Sequence, residues 1–149
     1  MPFVLKHFNE LNCNELYELL QLREAVFQVE QNCIYEDIDG KDRFCWHLQY
    51  YIDDILVAYC RLVPENVSYQ NYTSIGRVVS HKAYRKQGIG RALMQQALME
   101  METLFPTIPI KISAQQYLQK FYESLGFTTV GEGYLEDGIP HVAMVKTNK

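Results

Sequence analysis

The chain has no C-x-x-C pair, no long apolar run and no block of basic residues. Each absence removes a class of protein. Cys13, Cys33, Cys45 and Cys60 stand 20, 12 and 15 residues apart, which fits neither a zinc ribbon nor a thioredoxin-type motif. In a reducing compartment four free thiols are expected. No apolar stretch approaches the ~20 residues of a membrane span. The opening MPFVLKHF is too short and too mixed for a signal peptide. Lys and Arg number 14 against 18 Asp and Glu, a net charge of −4 without a basic stripe, which disfavours nucleic acid as the main partner. There is no internal repeat, low-complexity segment or linker. A cytoplasmic protein with no membrane association is the expectation.

What is present is a globular composition. Of 149 residues, 48% are apolar, which is enough for a core, and the length suits one domain over 1–149. PFVLKHF reads as a first strand. NCNELYELLQLREAVFQVEQ reads as a helix, with Asn12 and Glu15 spaced as a capping box. Its apolar stripe runs through Leu16, Leu19, Leu20, Val26 and Phe27. RFCWHLQYYI and ILVAYCRLVP flank Asp53-Asp54 as a hairpin. In the first of these, alternation puts Phe44, Trp46, Leu48 and Tyr50 on one face and Cys45, His47, Gln49 and Tyr51 on the other. YTSIGRVVS is a fourth strand. HKAYRKQGIGRALMQQALMEMETLF is a glycine-rich turn running into a helix, with Ile89, Leu93, Ala97, Leu98 and Met101 on its apolar face. IKISA is a strand and QQYLQKFYESLG a short helix ended by Gly126. FTTVGEGYL and HVAMVK, joined by EDGIP, are the last strands. The order β-α-β-β-β-α-β-α-β-β predicts the α/β (mixed α+β) class, with one parallel crossover after the fourth strand.

RKQGIGRALM carries the sharpest chemistry. Backbone N–H groups at a helix start, with the helix dipole behind them, make an anion site. Gly88 and Gly90 remove side chains that would block a phosphate. Arg85, Lys86 and Arg91 add positive charge. The Walker pattern is absent, and the Rossmann pattern fails because Leu93 stands where its third glycine belongs. The alternative to an anion site is a glycine turn with no ligand.

Arg85, Gly88 and Gly90 satisfy [QR]-x-x-G-x-[GA], which resembles the pyrophosphate loop of the GCN5-related N-acetyltransferase (GNAT) family. SIGRVV lies directly upstream, where that family uses a splayed strand to bind the pantetheine arm through the backbone at positions matched by Val78 and Val79. AQQYLQKFYESLGF resembles the family's Asn-x-x-Ala-x-x-Φ-Tyr-x-x-x-Gly-Phe signature, with Tyr122 on the tyrosine that points at the coenzyme sulfur. Gly126 and Phe127 complete the match. Gln115 replaces the usual Asn, and Leu118 the Ala. LREAVFQVEQNCIYEDIDGKD with a following histidine, and YLEDGIPHVAM, resemble the ElaA-type branch. The resemblance covers nearly the whole chain.

It implies a central mixed, mostly antiparallel sheet with helices on both faces, and splayed strands that hold acetyl-CoA as co-substrate. The cofactor contacts it implies span Val78, Val79, Arg85, Lys86, Gln87, Gly88, Ile89, Gly90, Arg91 and Gln115. The implied reaction is direct transfer of acetyl to a primary amine of a small molecule or peptide. The alternative is a non-catalytic acyl-CoA-binding sensor or docking module. A tRNA-directed activity is disfavoured by the net charge. Tyr122 is the expected proton donor to the leaving thiolate, against a packing role with a wet hydroxyl. The general base is open among His47, His81, His141, Glu30 and Glu136, with His47 and His141 favoured by the ElaA-type motifs. Glu30, Glu136 and Arg23 are expected on the acceptor side. For Arg23 the second reading is a pairing with Glu30 or solvent. Some family members pair through their last strands, so a homodimer is allowed.

YEDIDGKDRFCWH packs four acids, a cysteine and a histidine into thirteen positions. It fails the calcium-loop pattern and has no recognised zinc spacing, so no metal is expected. Asp37, Asp39 and Asp42 either attract a cationic amine or cap their own turn.

Overall fold

The computed structural model describes residues 2–31 and 35–147. Seven strands and three α-helices follow the expected order. Strand β1 (Phe3–His7) leads into α1 (Cys13–Arg23). The capping box is present: Glu15 N donates to Asn12 Oδ1 at 2.8 Å, and Asn12 N donates to Glu15 Oε1 at 3.0 Å. Lys6 Nζ, 2.8 Å from Glu15 Oε2, ties the strand to this helix start. Over Glu24–Glu30 the helix widens to a π-helical turn, closed by Gln31 N to Val26 O at 3.0 Å.

Strands β2 (Trp46–Ile52) and β3 (Ile55–Val63) form the expected hairpin. Asp53 and Asp54 both take left-handed conformations, φ 50° and 64°, as a two-residue hairpin turn demands. β4 (Ser74–Ser80), α2 (Ile89–Leu104), β5 (Ile110–Gln115), α3 (Gln119–Ser124), β6 (Thr128–Glu136) and β7 (Ile139–Lys146) complete the chain. α3 ends as predicted: Gly126 has φ 101°, and Phe127 N reaches back to Tyr122 O at 3.1 Å.

The sheet is built in two antiparallel halves, β1-β2-β3-β4 and β5-β7-β6. A short parallel contact joins them: Thr73 N donates to Pro109 O at 3.0 Å, and Lys111 N to Thr73 O at 2.9 Å. Beyond it β4 and β5 no longer pair, and a cleft opens between them. β4 also carries a bulge. Tyr59 faces Val79 and Arg61 faces Gly76, so three residue steps on β4 oppose two on β3. Arg77 absorbs the extra residue with φ 50°.

Helices cover both faces. On one, Leu93, Met94, Ala97 and Met101 of α2 pack on Leu48, Cys60, Leu62, Ile110 and Ile112. On the other, Leu19, Leu22 and Val26 pack on Leu56, Tyr59 and Val79. Each such side chain, fully buried, stabilises the fold by about 1.5–3 kcal/mol.

Three details differ from the sequence reading. Phe44 lies in a 3₁₀ turn (Lys41–Phe44) and is 59% exposed, so it does not share the face of Leu48. Leu22 and Met94 are core residues that the helical stripes omitted. The second face of β2, whose burial the alternation did not assign, is inside: Cys45, His47 and Gln49 are fully buried, on the sheet face that α1 covers.

Candidate active site

The divergence of β4 and β5 creates a cleft of about 460 Å³, walled by the π-helical turn, β4, β5, the start of α2 and α3. At one end is the turn into α2. Gly88 takes φ 73° and Lys86 φ 67°. The left-handed conformation costs nothing special at glycine but roughly 1–2 kcal/mol at lysine. The first helical bond runs from Ala92 N to Gly88 O at 3.0 Å, and Gly88 has no side chain to cap the earlier N–H groups. A Cβ added at Gly88 or Gly90 would point into open space, with nothing within 4 Å. The turn therefore fits a phosphate group by its donors and by its vacant volume.

The side chains of this turn divide. Arg85 and Gly90 line the cleft, whereas Lys86, Gln87 and Gly88 are exposed on the turn itself. Ile89 turns its side chain into the α2 core and offers only backbone. Arg91 bonds Ser124 Oγ at 3.1 Å and lies over the Phe121 ring. Val78 and Val79 line the cleft, and Val79 also belongs to the α1 core. Gln115 lines it too, its Nε2 3.5 Å from Gln31 Oε1.

Tyr122 on α3 and His141 on β7 face the same cleft. The Tyr122 ring is held edge-on by Phe121 and Phe127. Burial, with smaller contributions from Cys60 and Tyr117, pushes its hydroxyl up to about 12. Tyr122 thus keeps its proton at neutral pH and is a donor. His141 Nδ1 lies 2.7 Å from Ile139 O. A carbonyl only accepts, so Nδ1 carries the hydrogen and Nε2 of the neutral ring keeps its lone pair. Glu136 Oε2 stands 3.7 Å from Nε2, ready to pair with a protonated ring. Ser113 Oγ bonds both Tyr134 and Glu136.

The model of the acetyltransferase (GNAT) domain family matches residues 10–148. The chain belongs to the GNAT family. Among GNAT proteins it is 44% identical to Escherichia coli ElaA over 142 residues, 94% of this chain and 92% of that one. The crystal structure of E. coli ElaA superposes with TM-score 0.91, covering 98% of this chain and 99% of that one. An acyl-CoA N-acyltransferase from Pseudomonas aeruginosa, 45% identical, superposes with TM-score 0.92 over 97% of this chain and 98% of its own.

Other residues expected at this GNAT site stand elsewhere. His47 does not line the cleft. It is fully buried, with Nδ1 2.6 Å from Tyr59 Oη and Nε2 2.9 Å from the Asp42 carbonyl. Burial lowers its pKa, and both nitrogens are occupied, so it fastens the Asp-rich loop to the sheet. Arg23 is not an exposed helical charge but fully buried, and it pairs with neither Glu30 nor solvent. It donates to Asp42 Oδ1 at 2.8 Å, Asp37 Oδ2 at 3.0 Å and the Asp37 carbonyl at 2.9 Å. Glu30 lines the cleft at the end nearer the turn into α2, where it grips Arg85. His81 caps a short 3₁₀ turn by accepting from Ala83 N. Of the expected acceptor-side residues, Glu136 is the one whose side chain lines the cleft from the β6–β7 end.

The three aspartates are spoken for. Arg61 holds Asp39 with two bonds, at 2.7 and 2.9 Å, and Asp42 at 3.0 Å. Arg77 pairs with Asp37 at 2.8 Å and Asp39 at 3.2 Å. Burial alone would raise Asp39 and Asp42, but their arginine partners outweigh it and hold both below the usual carboxylate range. Three arginines against three aspartates make the Asp-rich loop a neutral clasp rather than a lure for cations. Among the described residues no three His, Cys, Asp or Glu side chains are grouped to hold a metal. Cys33 lies outside the described residues; Cys13, Cys45 and Cys60 are free thiols. No described helix is long and apolar enough to cross a membrane.

Arg61, Arg77 and Ser113 escaped the sequence reading. Arg61 left a signal in ILVAYCRLVP, where a cation amid apolar residues of a buried strand requires partners. Arg77 and Ser113 left none.

Proposed function

We propose that this chain is an N-acetyltransferase that moves an acetyl group from acetyl-CoA directly to a primary amine. The observation that carries the reading is the placement of a protonated Tyr122 hydroxyl and an unoccupied His141 Nε2 in one cleft that ends at an anion-accepting helix start. The N–H groups preceding Ala92, with Arg85, take the pyrophosphate. The edge of β4 turned away from β3, around Val78 and Val79, takes the pantetheine arm and polarises the thioester carbonyl through a backbone N–H. His141 Nε2 accepts the proton of the ammonium, and Glu136 stabilises the ring as it becomes charged. The amine lone pair forms the C–N bond, the C–S bond breaks, and the departing thiolate takes the Tyr122 proton; the second proton, which the nitrogen sheds as it becomes an amide, returns through solvent to the Tyr122 phenolate, and His141 releases its own to solvent. The relatives agree at the level of acyl transfer; acetyl as the group moved, and an amine as acceptor, are our reading.

The test is thiol release from acetyl-CoA over a panel of amines, alongside calorimetry with CoA. Turnover with at least one amine supports the reading. Tight CoA binding without turnover on any amine would make the chain an acyl-CoA sensor instead.

A further inference from the structure

A second cavity, of about 420 Å³, adjoins the cleft, and the two share Ile75, Gly76, Arg77, Ser113 and Glu136 as lining. Its size suits a small molecule. Its far wall, with Lys41, Ser68 and Tyr69, does not reach the coenzyme cleft. Beside Arg77, already committed to Asp37 and Asp39, two further cations line this chamber, and each has a donor to spare. Arg61 spends both Nη atoms on Asp39 and Asp42. Its Nε is buried and has no hydrogen-bond partner among the described residues, although the residue is only 4% exposed. An orphaned buried guanidinium N–H is costly, so a ligand that accepts from it gains correspondingly. Gly76 puts no side chain beside it: a Cβ there would sit 3.8 Å from this Nε. Lys41 Nζ reaches only Ser68 Oγ, at 3.3 Å, and has no carboxylate partner among the described residues. The acids free of arginine are Glu136 and Asp137, and Glu136 sits where the two cavities meet.

The chamber thus has a carboxylate pole at the junction and unspent cationic donors beside and beyond it. We propose that the acceptor is a free amino acid, with its nitrogen at the junction beside Glu136 and His141 and its carboxylate in the chamber, taken by Arg61 Nε over Gly76 and by Lys41. This rests on the acetyl-transfer reading. A polyamine would bring positive charge against Lys41 and Arg61. A peptide N-terminus or an amino-acid amide would bring no anion to either. The arrangement selects against both.

The experiment compares free α-amino acids with their α-amides, their decarboxylated amines and spermidine in acetyl-CoA-dependent thiol release. The acids are expected to show kcat/KM at least about tenfold higher than their partners, the scale of one charge-assisted hydrogen bond. Lys41→Met should raise KM for the acids about tenfold and shrink the acid-to-amide ratio, without moving the CoA affinity. Gly76→Ala, whose Cβ meets only ordinary contacts, should raise KM for the acids by shielding Arg61 Nε. Turnover that favours amides, amines or spermidine, or an acid-to-amide ratio unchanged in both variants, overturns the amino-acid acceptor and leaves acetyl transfer standing. Absence of thiol release with every acceptor overturns both.

Discussion

Glu30 and Arg85, 55 residues apart in the chain, meet at the cleft in a two-pronged ion pair, with Arg85 Nη2 2.7 Å from Glu30 Oε1. The same arginine donates to the Ser80 carbonyl at 3.0 Å. Its hydrogen bond to Glu30 holds that carboxyl below its ordinary pKa. The π-helical turn is thereby fastened to the segment that leads into α2, and the charge of Arg85 is countered by that of Glu30.

Glu30→Gln is expected to tighten CoA binding by about two- to fivefold at low salt, because it removes a negative charge beside the phosphates. The gain should shrink as salt rises. The pair is exposed enough that stability should change by less than about 1 kcal/mol. Calorimetry at two ionic strengths decides; weaker binding would mean that Glu30 serves chiefly to aim Arg85.

Gly88→Glu should abolish measurable CoA binding. Its side chain would fill the space left open at the helix start and repel the pyrophosphate. Gly88→Ala is the control: the φ of 73° costs it roughly 1–2 kcal/mol of stability, but no charge is added. Equal CoA affinity in Gly88→Glu and wild type would remove the anion site from this turn.

Tyr122→Phe should lower kcat by about 10²-fold with little change in CoA affinity, since only the proton donor is lost. His141→Gln should lower turnover with little change in CoA affinity. An unaltered rate in Tyr122→Phe would leave that residue as packing between Phe121 and Phe127.

Acid should unfold the protein in two stages. His47 is buried with its pKa lowered from 6.5, so the folded state resists the proton that the unfolded chain accepts. Its contribution is complete above about pH 6.5 and declines as pH falls below that. Asp39 and Asp42 are lowered from 3.8 by their arginine partners. Their contribution is complete above about pH 4 and is lost further down, as both take up protons. Urea unfolding between pH 8 and 3 would show both declines, and His47→Gln should remove the first.

Asp42→Ala should cost about 3–5 kcal/mol, because it strands Arg23 and Arg61 together in the interior. Asp37 and Asp39 are more exposed and share the remaining load, so their alanine variants should cost less. Denaturant midpoints for the three variants give the order.

The sequence by itself determined the element order, the capping box at Asn12 and the glycine turn at 85–91. These are local or periodic properties, written in neighbouring residues. The register of Tyr122, Gly126 and Phe127 with that turn came from the resemblance to the GNAT signature. The tertiary structure alone decided which charged residues meet. His47 was a candidate base and became a buried strut, because α1 covers its face of β2 and Tyr59 and the Asp42 carbonyl take both ring nitrogens. Arg23 and the three aspartates stood open between acceptor contacts and ordinary paired, solvated or self-capping charges, and became a clasp, because Arg61 and Arg77, from two other strands, come to the same place. The bulge at Arg77 and the parting of β4 from β5 have no mark in composition or period, since they arise where two halves of a sheet stop sharing hydrogen bonds. That parting makes the cleft, which His141 of the last strand and Tyr122 of the last helix both line.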